Sequence, residues 1–390
     1  MSSFARGTLL FIALAALGCS SAGASDPVPP CDLPDISDAN CAAAKALLLP
    51  DALPPSRGNQ YGDNEAAATL GFSLFFDSTL GSGVGCATCH APELAFTDRL
   101  PVSKGKAMGT RNSPTVFNSA RLNVIFWDGR ADSLWSQPLF AIENAAEMAS
   151  TRLELAHFIQ QNAIDRASYE AVFGPLPDMS TWPAAGKPGD AAYDDLPDAQ
   201  KDQINRVAAN VGKAFDAYMR KNTTGPGALD SFLKGDTSNL IPAARRGLNA
   251  FIENKCDSCH SGPALSDESF HDAGFPSLPG SMPDLGRAEG LAVLEANIFN
   301  LAGPYADPGP EIPAAPPQPG QVGAFRTPPL RNITRTGPYG HDGALASLRD
   351  VLNLHGPSLS TSDAGDVLAF FETLNGAYPA RPWSNWPSPQ

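Results

Sequence analysis

Apolar residues recur at helical spacing in four well-separated stretches of the chain. Ala67, Leu70 and Leu74 share one face of the segment from Asn64 to Phe76, the three-and-four rhythm of a helix that buries one side. The same rhythm in Ile204, Val207, Val211, Phe215 and Tyr218 predicts a helix from Asp202 to Arg220. Pro242, with its fixed φ and missing N–H, is suited to open a third helix, Ala243 to Glu253. A fourth is predicted from Asp363, as N-cap, to the stop signal Asn375-Gly376, with Val367, Leu368, Phe371 and Leu374 as its buried stripe. Almost no alternating strand pattern interrupts these helices. The stretches between them are rich in Pro and Gly: a leader from 26 to 60, a loop-like segment from 176 to 197 that reads as a surface insertion, and a loop from 304 to 320. The expected fold is mainly α, with long Pro/Gly-rich loops.

The N-terminus has the layout of an export signal. Arg6 precedes the apolar run Leu9 to Leu17, and Gly18-Cys19-Ser20-Ser21 follows. A Cys directly after a small residue predicts lipoprotein processing, so residues 1–19 read as a signal peptide and Cys19 as a lipid-anchored N-terminus. A plain cleavage between Ala22 and Ser25 is the other reading, and both export the protein. No later stretch is long and apolar enough to cross a membrane. In an oxidising compartment Cys31 and Cys41, ten residues apart in the 20–60 leader, are expected to form a disulfide. The formal net charge is −14, which argues against nucleic acid and anionic membrane as partners and suits a small redox protein with a basic contact face.

Four further cysteines stand in two copies of one motif, Cys86-Ala87-Thr88-Cys89-His90 and Cys256-Asp257-Ser258-Cys259-His260. In CxxCH the two thiols add to the vinyl groups of a haem as thioethers, and the adjacent His is held under the iron as its ligand. A zinc site would need further Cys or His ligands nearby, and a simple dithiol has no use for the His in both copies. Each motif follows an apolar helix, so the chain reads as a diverged duplication: an N-terminal cytochrome c-like haem domain over 61–222 and a C-terminal one over 223–390.

Further segments, in order, are Leu74-Phe75-Phe76-Asp77, Ala95-Phe96-Thr97-Asp98, Arg111-Asn112-Ser113-Pro114-Thr115, Phe126-Trp127-Asp128-Gly129-Arg130, Glu147-Met148, Arg326-Thr327-Pro328-Pro329-Leu330-Arg331-Asn332 and Gly337-Pro338-Tyr339-Gly340-His341-Asp342-Gly343. Together with the haem motifs, these resemble the bacterial dihaem cytochrome c peroxidase superfamily, which includes the MauG-like enzymes, over roughly residues 45 to 376. The resemblance implies two covalent haem c groups with His90 and His260 as axial ligands, a peroxide site at the first and electron relay at the second. It implies Glu147 as the acid/base carboxylate for O–O cleavage, Gln137 as the amide that orients peroxide, and Trp127 as the aromatic ring between the haems. It also implies a calcium ion held by Asn112, Thr336 and Pro338, for which carbonyl and side-chain oxygens are suitable ligands. The protein would act in the periplasm on hydrogen peroxide, with a small cytochrome c or cupredoxin as donor, and relatives of this kind are often homodimers.

Two departures from the family pattern matter. Many such peroxidases carry a His, on the loop after the first motif, that caps the N-terminal haem until the other haem is reduced. Here that loop runs from Arg99 to Gly109 and holds no His, so His90 is expected to be the sole protein ligand of an open iron, with Met108 the only alternative cap. The family's second ligand to the C-terminal haem lies fourteen residues after the position of His341; it is Met in typical peroxidases and Tyr in MauG-like enzymes. Here the position holds His355, so ligation by two His is expected, with His271 as the rival; His341 is expected to bond a haem propionate, and His157 has no assigned role. The leading expectation is a peroxidase. The alternatives are a MauG-like oxidase that modifies residues of a partner protein through a high-valent iron state, and a non-catalytic dihaem electron-transfer cytochrome.

Overall fold

The structure, a computed structural model, describes residues 30–81, 83–309, 321–356 and 359–383. The apolar leader and Cys19 lie outside the described residues, as do residues 310–320 of the Pro-rich loop. The chain is mainly helical. Its first half holds α1 (Cys41–Ala46), α2 (Glu65–Phe76), α3 (Cys86–Cys89), α4 (Gln137–Glu143), α5 (Arg152–Gln161), α6 (Ala163–Phe173), α7 (Ala191–Asp194) and α8 (Asp198–Lys221). The second half holds α9 (Ala228–Leu233), α10 (Pro242–Glu253), α11 (Arg287–Ala296), α12 (Leu348–His355) and α13 (Thr361–Glu372). Two two-residue strands, β1 (Phe270–His271) and β2 (Phe325–Arg326), pair antiparallel with Phe270 opposite Arg326.

Local chemistry sets the helix ends. The Asn64 side chain accepts from the Ala67 N–H at 2.9 Å and starts α2. Pro242 is the first residue of α10, as its geometry requires. The start of α13 differs from expectation. Ser360, not Asp363, is the cap: its hydroxyl accepts from the Asp363 N–H at 3.1 Å and donates to the Asp363 carboxylate at 2.7 Å. The acid belongs one turn later, where it completes the cap and meets the positive end of the helix.

Two hydrophobic clusters organise the fold. The first gathers Leu70, Leu74, Phe96, Trp135, Ile142, Leu153, Val211 and Phe215. The second gathers Leu229, Phe232, Leu248, Phe251, Val367 and Phe370. The leader is not a loose arm: Leu33, Ile36, Ala44 and Leu47 are buried in the second cluster, and the Cys31–Cys41 disulfide, with Cα atoms 5.5 Å apart, closes it. The 176–197 segment is likewise not a surface insertion. Its prolines prevent a long helix, yet Met179, Trp182 and Tyr193 are buried in the first cluster. His157 finds its role here, as its Nε2 lies 2.9 Å from the Pro183 carbonyl and its ring meets Trp182 edge-on.

The two halves repeat one packing device. The helix before each CxxCH crosses a later helix, α2 against α8 and α10 against α13, with a glycine at the contact. A Cβ on Gly71 would collide with the Ala214 carbonyl, and one on Gly247 with the Asp366 carbonyl. In both cases the obstacle is backbone, so a side chain there must push two buried helices apart. Gly71→Val and Gly247→Val should each destabilise the protein by about 1–3 kcal/mol or more, seen as a lower thermal midpoint. Gly365→Ala on α13, whose Cβ would meet nothing, should instead stabilise it by about 0.5–1 kcal/mol through helix propensity; calorimetry on the three variants checks both signs.

Candidate functional site

Each CxxCH places two thiols one short turn apart with an imidazole behind them. Cys86 to Cys89 form α3, and Cys256 to Ser258 form a 3-10 turn directly after α10. Burial pushes the thiol pKa up, to about 12 at Cys86 and about 11 at Cys89, and also raises Cys256. His90 Nδ1 lies 3.2 Å from the Phe96 carbonyl, and His260 Nδ1 lies 3.1 Å from the Leu265 carbonyl. Both carbonyls are carried by residues in the left-handed region, Phe96 at φ 56 and Leu265 at φ 51. Burial lowers the His90 pKa below its ordinary value and takes His260 to about 4, which favours the neutral imidazole, the form that binds a metal. With Nδ1 occupied, Nε2 is the nitrogen left to coordinate. Both residue sets fit a covalently attached haem.

Glu147 lies next to the first of these sites, in electrostatic reach of Cys86 and Cys89. It sits on the turn after α4, where its carboxylate accepts from the Asn144 amide at 2.8 Å. Burial raises its pKa, partly countered by the charge of Arg130 and by the Asn144 bond. Arg130 is fixed 3.5 Å above the Phe126 ring. Gln137 is the first residue of α4, half-buried. The 99–109 loop is stitched to the Glu147 turn: the Lys106 N–H donates to the Glu147 carbonyl at 2.9 Å and the Ala107 N–H to the Ala146 carbonyl at 3.0 Å. This approach requires Gly105, whose Cβ would fall 2.5 Å from the Glu147 carbonyl oxygen and 2.7 Å from that of Ala146. Met108 points away, 56% exposed.

Trp127 lies at the seam between the halves. Its indole N–H donates to the Asn112 carbonyl at 3.0 Å, and its own carbonyl accepts from the Arg326 N–H at 2.8 Å. Asn112 is buried, receives Trp127 on its carbonyl, and donates its N–H to the His341 carbonyl and its amide nitrogen to Leu100, each at 2.8 Å. Thr336 donates its hydroxyl to the Ile333 carbonyl at 3.2 Å, and Pro338 follows a cis bond from Gly337. Arg99 reaches the Arg335 carbonyl at 3.3 Å, so the segments carrying Asn112, Thr336 and Pro338 meet in one region.

At the second site His355, the last residue of α12, stands with its ring centre 6.4 Å from that of His260. Two imidazoles bound on opposite sides of one metal, each bond about 2 Å, have centres about 6 Å apart. His271 is engaged elsewhere, its Nε2 2.9 Å from the Asp267 carboxylate at an exposed position. His341 is buried and stacked on Phe325, with ring centres 3.9 Å apart.

Two residues of this region had no role from sequence. Gly105 belongs to a loop whose only legible feature was the lack of a His. Ser113 stands beside the first imidazole, its hydroxyl 3.2 Å from His90 Nδ1. A signal for Ser113 did exist: Arg111-Asn112-Ser113-Pro114 and Arg326-Thr327-Pro328 both place Arg and then a hydroxyl residue before Pro. Pro114 and Pro328 set their carbonyls against His90 and His260 respectively, so the two segments are structural counterparts.

Comparison with known proteins agrees with this arrangement. A family model described as di-haem cytochrome c peroxidase matches residues 65–238. The chain is 30% identical over 361 residues to the methylamine utilization protein MauG of Methylorubrum extorquens, covering 87% of this chain and 86% of that protein. It is 29% identical over 354 residues to the cytochrome c551 peroxidase of Pseudomonas aeruginosa, covering 88% of each. Among solved structures, a MauG-like protein associated with microbial copper homeostasis shares the fold with a TM-score of 0.63 at 23% identity, over 87% of this chain and 98% of that one. The chain is an oxidoreductase that belongs to the di-haem cytochrome c peroxidase family, and two haem c groups come with that family.

Proposed function

We propose that this protein is a dihaem peroxidase that reduces hydrogen peroxide to two waters, taking two electrons from a small cytochrome c or cupredoxin and two protons from solvent. The observation that carries this reading is the half-buried Glu147 carboxyl, its pKa raised by desolvation, beside the Cys86/Cys89 attachment site. A carrier of electrons gains nothing from such a group. On this reading Cys86, Cys89 and His90 hold the first haem, and Cys256, Cys259, His260 and His355 hold the second. The bound first haem supplies an iron position at which peroxide can be reduced. Glu147 takes the proton from the near peroxide oxygen and returns it to the leaving one, for which a raised carboxyl pKa is suited. Gln137, at the start of α4 and without a side-chain hydrogen bond among the described residues, orients the peroxide. Trp127 bridges the two halves for electron passage. Asn112, Thr336 and Pro338 hold a calcium ion that fixes the seam; the Asn112 side-chain oxygen accepts no hydrogen bond from the described residues, which leaves it available as a ligand. The boundaries 61–222 and 223–390 define the two haem domains, and export to the periplasm with a lipid anchor at Cys19 and a homodimeric state complete the reading. The acidic surface favours a donor with a basic contact face.

A second reading rests on His355. A His where the typical peroxidases of the family have Met makes the C-terminal site more electron-donating, which suits a MauG-like oxidase acting on a partner protein. Peroxide consumption with a reduced cytochrome donor separates the two. Fast turnover supports the peroxidase, whereas slow turnover with a persistent donor-free spectral change on adding peroxide supports the oxidase.

Glu147→Gln should lower kcat/KM for peroxide by about 10²-fold or more while leaving both haems attached; unchanged turnover would remove Glu147 from the mechanism. The same variant has a stability signature. Because the folded pKa of Glu147 is raised, its ionisation opposes folding as pH rises through the region just above the usual carboxylate range. The Gln variant escapes this, so its thermal midpoint should gain on the parent as pH rises through and above the usual carboxylate range. Gly105→Val should lower peroxide turnover by about 10- to 100-fold through displacement of the Glu147 turn. Gly109→Ala in the same loop, whose Cβ would meet only the Ser103 carbonyl at 3.2 Å, should leave turnover near the parent value. His355→Ala should convert one low-spin haem signal to high-spin in the optical and EPR spectra, and His271→Ala should not; the opposite pattern would transfer the ligand role to His271.

A further inference from the structure

The two imidazoles that face the proposed haem sites are held alike, with one exception. Each Nδ1 has a backbone carbonyl partner, Phe96 for His90 and Leu265 for His260. Among the described residues His90 has in addition a side-chain partner, the Ser113 hydroxyl at 3.2 Å, and His260 has none. That hydroxyl also donates to the Cys89 carbonyl at 3.2 Å, so its proton is committed and a lone pair is left for the imidazole N–H. Ser113 is buried, 7% exposed, so water does not substitute for it easily. At the counterpart position Thr327 gives its hydroxyl to the Ser269 carbonyl at 3.4 Å and makes no hydrogen bond to His260 among the described residues.

We propose that Ser113 is a positioning residue that makes His90 a stronger electron donor than His260 and thereby keeps the first haem the more easily oxidised of its kind. The inference rests on His90 being the ligand of that haem, as in the reading above. When Nε2 binds iron, Nδ1 must carry the proton. A second acceptor on that N–H raises the electron density of the ring and so its basicity as a ligand. This favours the oxidised iron and lowers the reduction potential of that site. The asymmetry therefore resides in one hydroxyl on a pair of otherwise matching segments.

The test is a spectroelectrochemical titration of the dihaem protein, with Ser113→Val and Ser113→Thr as a pair of the same shape that differ in the hydroxyl, and Ser113→Ala as a third variant. The Val and Ala variants should raise the potential of the haem on His90 by an amount equivalent to a several-fold change in its reduction equilibrium, where tenfold is 59 mV for one electron. The Thr variant should stay near the parent, and the haem on His260 should not move in any of them. The iron–histidine stretching frequency of the reduced first haem should fall with the hydroxyl removed. Unmoved potentials in Val and Ala, or equal shifts at both haems, overturn the assignment even if peroxide turnover is intact. The predicted shift in a protein without peroxidase turnover would retire the peroxidase reading and leave the role of Ser113 standing.

Discussion

A partly buried imidazole can serve a metal only when one nitrogen carries a lone pair and the other is held by something else. This chain meets that condition twice with the same device, a backbone carbonyl five or six residues beyond the His that is turned inward by a left-handed residue. Phe96 and Leu265 both accept that conformation, although a side chain there costs about 1–2 kcal/mol. The cost is offset because the carbonyl has a half-buried hydrogen-bond partner, and the turn returns the chain across the face of the CxxCH. The rest of the fold is arranged around these two points. A helix delivers each motif, a glycine lets that helix approach its partner closely, and an Arg-containing segment ending in Pro closes the other side of the ring.

The same frame then supports different chemistry in the two halves. Around His90 there is a half-buried carboxyl with a raised pKa, an Arg fixed over an aromatic ring, and a glycine loop bonded to the carboxyl's own backbone. Around His260 there is a second imidazole at a separation suited to sharing one metal. The likeness is what a diverged duplication would leave. The differences lie in loops and turns, where a change of residue alters the site without disturbing the helix pairs. The position of Glu147 shows this well: it is held by backbone hydrogen bonds to a loop, not by a helix or strand.

Much of this was legible in the chain because its signals are local. Two CxxCH motifs, Asn64 before an apolar rhythm, and Pro242 before another act within a few residues, and the structure follows them. Ser360 displaced Asp363 as cap because a Ser and an Asp three residues apart share the task, and either looks like a start when read alone. The burial of Met179, Trp182 and Tyr193 was hidden by the prolines around them, which speak to backbone and not to where a side chain ends. The shorter helices, α4 to α6, α9, α11 and α12, give too few turns to stand out as helices in the sequence, and tertiary contact decides them. Gly105 could not be found from sequence, since its requirement comes from a backbone forty residues away. Ser113 could be found only by laying its segment over that of Thr327, a comparison that needs the imidazoles in place to show its meaning.

The seam between the halves links the two sites mechanically. From His90, the Ser113 hydroxyl leads to its neighbour Asn112, whose carbonyl receives the Trp127 indole. The Trp127 carbonyl receives the Arg326 N–H, and two residues on, the Pro328 carbonyl lies against His260. Arg111 adds a paired bond to Asp284 and a third to Asp128, next to Trp127. Every bond in this run is buried or half-buried, so none is readily exchanged for water, and each fixes a backbone group. A rigid run of this kind holds the relative placement of the two imidazoles against the freedom of the long loops around them. Electron passage falls steeply with distance, so two haem sites that must share electrons need that placement held. The Arg and Pro segments are thus more than closures of their own pockets: because Trp127 is bonded to both, they set the spacing between them.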